Sequence, residues 1–259
     1  GLDEVVTVNV GAAPTPREVL LFFHAIGVQV AELWGMSETC GAGCCNRPGE
    51  VKLGSVGPPS PGVEVKLAED GELLMRSEVV MTGYRNAPDQ TAEALDADGW
   101  LHTGDMATID EDGYVTLVDR KKELIISSAG KNMSPANIES ELKGASPVIG
   151  QAYCIGDARP FNTAIIVLDA DFAPAWAAKQ GLENVPFDRL GDEAAMRAAV
   201  QEGVDAANGR LARAEQIKKF TIVHGDWSPG GDELTPTMKL KRKPIGEKYA
   251  RDIEAMYAS

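Results

Sequence analysis

The stretch ELWGMSETCGAG, Glu32–Gly43, gathers an indole, two hydroxyls, two carboxylates and several glycines into one run. What precedes it fixes its place in a fold. Val5–Val10 alternates and is β-branched, as a strand ending at Gly11 would be. Pro16 opens a helical pattern whose apolar face is Val19, Leu20, Phe22, Phe23 and Ile26, and Gly27 stops it. Val28–Leu33 is then a second strand. Strand, helix, strand is a parallel α/β unit. The quoted stretch therefore lies at a strand's C-terminal end, where open α/β sheets place ligand crevices.

Further along, the texture changes. From Gly49 to Asp119, short β-rich pieces (Val63–Leu67, Glu72–Arg76, Met106–Ile109, Tyr114–Leu117) are separated by turns such as AEDG, DADG and DEDG. This pattern predicts an antiparallel β subdomain, open or closed into a barrel. After Asp119–Lys122, where we place a domain boundary, the pattern is mixed again. Leu124–Ser127, Ala152–Ile155, Ala164–Leu168 and Lys219–Val223 read as strands. Pro135–Leu142 starts a helix, Asp192–Ala214 is a long helical stretch, and a last helix begins near Pro244.

Composition limits the function. The chain has 259 residues, enough for one large domain or two ordinary ones. A net charge of −14 argues against a general nucleic-acid binder, because phosphate contacts need a surplus of Lys and Arg on one face. No apolar run has the length of a transmembrane helix, and Gly1-Leu2-Asp3-Glu4 is not a signal peptide. The start is not Met and an apolar run follows at once, so the chain reads as opening inside a domain. Cys40, Cys44, Cys45 and Cys154 form neither a metal pattern nor a disulfide frame, which fits a reducing, cytoplasmic setting.

Five blocks could carry chemistry. In Trp34-Gly35-Met36-Ser37-Glu38-Thr39 the indole can stack on a purine, the hydroxyl can bond phosphate and the carboxylate can hold magnesium. A strand-end turn with a core Trp is the plain alternative. GAAP, Gly11-Ala12-Ala13-Pro14, has small residues that let backbone approach a flat ring. GWLHTGD, Gly99–Asp105, sets an Asp in a Gly-flanked turn, where it could accept from both ribose hydroxyls or merely close an Asx turn. In DRKKELIISSAGKNMSP, Arg120 offers a fork to sugar or phosphate, and Gly130, Lys131 and Asn132 form a turn. LTPTMKLKRKP holds Lys239, able to stabilise a negatively charged transition state or to be part of a solvated basic tail.

The order GAAP, WGMSE, GWLHTGD, DRKKELIISSAGKN, TPTMKLKRK resembles the adenylate-forming (AMP-binding) acyl-CoA synthetase superfamily, over essentially the whole chain and most closely its long-chain fatty acyl-CoA synthetase branch. The resemblance implies an α/β fold with an antiparallel β subdomain. Residues 1–119 would be the C-terminal part of a large AMP-binding domain, with an α/β piece at 1–48 and a β-rich subdomain at 49–119. Residues 120–122 would be a hinge, and 123–259 a small, mobile α+β C-terminal domain. It implies a long-chain fatty acid:CoA ligase that makes acyl-AMP from fatty acid and ATP with Mg2+, then transfers the acyl group to coenzyme A. Gly11, Ala12, Ala13, Pro14 and Trp34 would flank adenine, with Gly35 and Met36 in the same wall. Ser37 would contact phosphate and Glu38 the metal. Asp105 and Arg120 would hold ribose. Lys239 would bridge carboxylate and α-phosphate. After rotation about Lys121–Lys122, the Gly130, Lys131, Asn132 turn would admit the pantetheine arm.

The family usually has Gly before the catalytic lysine, where this chain has Met238, which leaves Lys241 as a competing assignment. The family's Ser/Thr/Gly-rich phosphate loop, far upstream of GAAP, has no counterpart here. The chain thus resembles a C-terminal fragment, expected to be inactive or nearly so alone. Two other readings stand beside the ligase: a fatty acyl-AMP ligase loading a carrier protein, and a non-catalytic nucleotide-binding fragment. Long-chain substrates partition into bilayers, which leaves peripheral membrane contact of the full-length protein open.

Overall fold

The computed structural model describes residues 3–12, 15–128 and 130–258. The chain divides into two compact units, Gly1–Glu123 and Leu124–Ser259. Among the described residues no helix is long and apolar enough to cross a membrane.

Unit 1 begins with β1 (Val8–Val10), α1 (Arg17–Ala25) and β2 (Val30–Trp34). β1 and β2 pair in parallel, with Val10 opposite Glu32, as the strand-helix-strand pattern requires. β3 (Cys44–Cys45) returns antiparallel against Leu33 and Trp34. The helix differs from expectation in what it buries. Only Leu20 is buried, whereas Val19, Phe22 and Ile26 are exposed. A three-stranded sheet with such short flanking strands gives the helix little surface to cover.

The β-rich stretch is a four-stranded antiparallel meander of β4 (Glu64–Leu67), β5 (Glu72–Arg76), β6 (Leu101–Ile109) and β7 (Val115–Arg120). Each Asp-Gly turn has its glycine (Gly71, Gly99, Gly113) at positive φ, a backbone conformation that a side chain would strain. Among the described strands, β4 and β7 remain the outer members, so the sheet is open rather than a closed barrel. A short helix not foreseen, α2 (Pro88–Ala94), precedes β6. The inward faces pack with the indole of Trp34 around Cys44, Leu73, Met75, Ala107 and Val115.

Unit 2 opens with a hairpin of β8 (Ile125–Ile126) and β9 (Asn132–Met133), then α3 (Pro135–Ala145). Ser134 caps α3 by accepting from Asn137 N at 3.0 Å, with Pro135 at the first helical position. The sheet β10 (Ile149–Ile155), β11 (Asn162–Leu168), β12 (Ile217–Ile222) carries the core. Every residue of β11 is buried. Its alternate side chains feed two clusters: Ala164, Ile166 and Leu168 on one face, Ile165 and Val167 on the other. α3, α4 (Phe172–Lys179) and α5 (Ala194–Asn208) supply the first cluster. α6 (Arg242–Lys248) and α7 (Ala250–Tyr257) supply the second.

α4 was not foreseen, and α5 is shorter than the helical stretch expected to reach Ala214. Asn208 stops it. Its amide donates to Ile217 O and accepts from Ile217 N, each at 2.8 Å, tying the helix end to β12.

Candidate functional site

β1 and β2 are parallel, so Gly11 and Gly35 leave the same sheet edge. Gly11 lies against Leu33: a Cβ there would sit 2.7 Å from Leu33 Cδ1. Ala12 has φ of 70°, and Ala13 and Pro14 fall outside the described residues. Beyond β2 the chain folds back so tightly that a Cβ on Gly35 would lie 2.1 Å from Gly41 O. Any other residue at 35 would force this turn apart. Thr39 fastens the turn from inside, its hydroxyl bonding Met36 N and Met36 O at 3.1 Å each. Ser37 is left exposed at its tip and Glu38 half-buried beside it.

Glu38 is held from two sides. Tyr84 Oη donates to Glu38 Oε1 at 2.7 Å, and Met81 N donates to Glu38 O at 2.7 Å. Tyr84 is itself set by Thr91 of α2, whose hydroxyl accepts from Tyr84 N at 2.9 Å. The hydrogen bond to the Glu38 carboxylate, aided by burial, pushes the Tyr84 hydroxyl above its ordinary pKa. Sequence reasoning missed Tyr84; its one signal was an aromatic directly after Gly83 in a polar loop.

GWLHTGD takes a conformation other than the expected turn. Asp105 lies within β6, on the inward face with Leu101, Thr103 and Ala107. A carboxylate among apolar neighbours needs donors, or its burial costs several kcal/mol. It has them: Trp34 Nε1 donates to Asp105 Oδ2 at 2.7 Å, and Arg120 Nε pairs with Oδ1 at 2.7 Å. Arg120 is directly opposite Asp105 in the β6–β7 ladder, so strand register delivers the guanidinium. Blocks far apart in sequence thus meet on one carboxylate. Trp34 is 7% exposed, so most of the indole is core and little ring face remains for a stacked base.

One layer behind, Glu72 is also buried. It accepts from Gly104 N and Lys121 Nζ, each at 2.9 Å, with His102 Nδ1 at 3.4 Å. Burial pushes its carboxyl up, but these partners outweigh it and hold it below the usual glutamate range. Glu72 was missed as well; an acidic residue opening an apolar strand was its signal.

In unit 2, Gly130 has φ of 75° and exposed Lys131 follows, with Asn132 starting β9. Near the C-terminus the cations differ in what they touch. Lys241 Nζ donates to Gly231 O at 2.8 Å. Arg242 forms a fork with the buried Glu139, at 2.7 and 3.0 Å. Lys239 is exposed, and among the described residues its ammonium has no protein partner. Its backbone N donates to Thr235 Oγ1 at 3.0 Å, which closes the turn that presents it.

Comparisons with known proteins match most of the chain to one enzyme family. A family profile described as AMP-binding enzyme matches residues 1–85, and one described as AMP-binding enzyme C-terminal domain matches residues 122–259. The putative fatty-acid–CoA ligase fadD11 of Mycobacterium tuberculosis is 52% identical over 249 residues, 96% of this chain and 43% of that protein. The long-chain-fatty-acid–CoA ligase FadD15 of Mycobacterium bovis is 41% identical, over 95% of this chain and 41% of that protein. The chain therefore spans about two-fifths of the curated relatives it matches. Among solved structures, o-succinylbenzoate CoA synthetase of Bacillus subtilis with its acyl-adenylate intermediate is similar with TM-score 0.72 and 26% identity, over 94% of this chain and 46% of that one. The adenylation domain of a carboxylic acid reductase from Segniliparus rugosus shares the fold with TM-score 0.77 at 24% identity, over 97% of this chain and 39% of that one. By motif order, architecture and profile match, the chain belongs to the AMP-binding enzymes, the adenylate-forming acyl-CoA synthetase family.

Proposed function

We propose that this chain supplies the ribose-holding, metal-facing and lysine-bearing parts of an ATP-dependent long-chain fatty acid:CoA ligase. One observation carries the reading: Trp34, at the end of the strand that leads into the Ser37–Glu38 turn, and Arg120 converge on the single buried carboxylate of Asp105. Asp105, fixed by these donors, accepts the ribose hydroxyls. Arg120, half exposed, turns its remaining N–H groups to the same sugar.

Glu38 suits a magnesium ion shared with phosphates. Tyr84 occupies Oε1, whereas Oε2 has no protein partner among the described residues. No cluster of three or more acidic, His or Cys side chains surrounds it there, so a metal at Glu38 would draw its other ligands from phosphate and water. When bound, Mg2+ neutralises charge on the pyrophosphate leaving group. Ser37 donates to phosphate oxygen. Lys239 meets the charge that develops as the fatty-acid carboxylate attacks the α-phosphorus and pyrophosphate departs. Lys241 and Arg242 are engaged elsewhere, which favours Lys239 for this role. A turn of unit 2 about the linker that follows Arg120 then withdraws Lys239 and brings Gly130–Asn132 to the acyl-adenylate, where the CoA thiol displaces AMP.

The test is a full-length ligase carrying this sequence, given ATP, Mg2+ and fatty acids. Fatty-acid-dependent exchange of labelled pyrophosphate into ATP, followed by acyl-CoA on adding CoA, is the expected result. Exchange without acyl transfer to CoA points to a carrier-protein acceptor. Absence of exchange with any fatty acid refutes the adenylation role.

A further inference from the structure

Glu72 is a buried carboxylate that the proposed chemistry leaves unused. Its two oxygens reach the neighbours of both ribose-holding residues. Oε1 accepts from Gly104 N, one residue before Asp105. Oε2 accepts from Lys121 Nζ, one residue after Arg120. The β5–β6 register shifts between Glu72 and Leu74, so the ladder is broken there and the side chain takes the Gly104 N–H. Lys121 is fastened twice more within unit 1: its N donates to Gly104 O at 2.8 Å, and its ammonium meets Asp70 Oδ2 at 2.5 Å.

We infer that Glu72 is a positioning residue that fixes Asp105 and Arg120 against each other and anchors Lys121 within unit 1. That the two held residues grip ribose rests on the ligase reading; the anchor itself does not. An isolated exposed ion pair at Lys121 would be worth little. Here one partner is buried and also holds backbone, so movement at Lys121 would strand a charge in the core. Lys122 has no such restraint: among the described residues its ammonium has no partner.

The experiment reads lysine acylation and amide hydrogen exchange on this chain by mass spectrometry. Lys121 should acylate several-fold more slowly than Lys122, and the Lys121 amide should exchange far more slowly than that of Lys122. Glu72→Gln should bring Lys121 acylation toward the Lys122 rate while leaving the Gly104 amide protected, since the side-chain oxygen still accepts. Glu72→Ala should release both. Asp70→Asn should affect Lys121 alone. If Lys121 and Lys122 acylate alike in the unsubstituted chain, or if Glu72→Gln leaves Lys121 slow, the anchor is refuted. Should Glu72→Ala fail to fold, the Glu72→Gln arm still decides the anchor. None of these readouts needs turnover, so a full-length ligase that shows them but exchanges no pyrophosphate overturns the ligase reading and upholds Glu72's role.

Discussion

Trp34 Nε1 donates to Asp105 Oδ2 across 2.7 Å, binding the end of β2 to the middle of β6. Trp34→Phe keeps the aromatic bulk but leaves a buried carboxylate oxygen without that donor. Loss of such a bond, with the small void beside it, is expected to lower the stability of unit 1 by roughly 2–4 kcal/mol. Urea unfolding followed by far-UV circular dichroism checks this. A change below about 0.5 kcal/mol, the range of ordinary surface substitutions, would mean the bond is idle.

Tyr84→Phe removes the hydrogen bond that holds Glu38. The Tyr84 pKa is raised, so the protonated phenol is favoured in the folded state. Its contribution is present below the unfolded value of about 10 and fades as pH rises through the folded value. Absorbance titration of phenolate should therefore lose a late-titrating group in Tyr84→Phe, and Glu38→Gln should shift that group earlier. In a full-length ligase, Tyr84→Phe should raise the Mg2+ concentration for half-maximal adenylation several-fold with little change in the fatty-acid KM.

Lys239 and Lys241 separate by what they hold. Lys239→Ala in a full-length ligase should slow adenylation by about 100-fold or more while sparing thioester formation from supplied acyl-AMP. Lys241→Ala breaks a contact to Gly231 O and should cost about 1 kcal/mol of stability. Equal loss of both half-reactions in Lys239→Ala would remove it from the charge-stabilising role.

The thiols divide by burial. Cys40 is exposed, whereas Cys44 and Cys154 are buried, and burial pushes the Cys44 thiol up to about 12. Because thiolate is the reactive form, an aromatic disulfide reagent at pH 8 should modify Cys40 quickly and leave Cys44 and Cys154 untouched until denaturant is added. Rapid release of all the thiols from the native chain would contradict this core.

The elements that repeat a period were legible in the sequence. β5 covers the same Glu72–Arg76 run that the sequence marks between turns, and α5 follows its apolar stripe of Met196, Val200 and Val204. What ends or joins elements was less so. Asn208 stops α5 through a partner nine residues on, and no local propensity shows that. In the candidate site the motifs marked Trp34, Asp105 and Arg120 individually, but not that they share one carboxylate. Glu72 and Tyr84 escaped because their partners lie across a ladder or a loop, where chain spacing carries no signal.

Met238 stands where the family favours glycine, and its φ of 64° lies in the left-handed region. A side chain there costs about 1 kcal/mol, which glycine would avoid. Glycine would also free the unfolded chain by roughly 0.4–1 kcal/mol, so the exchange nearly cancels in equilibrium terms. What differs is motion. With methionine the ammonium of Lys239 swings from a stiff pedestal through a narrow arc, and a glycine hinge beneath it would trade that aim for speed.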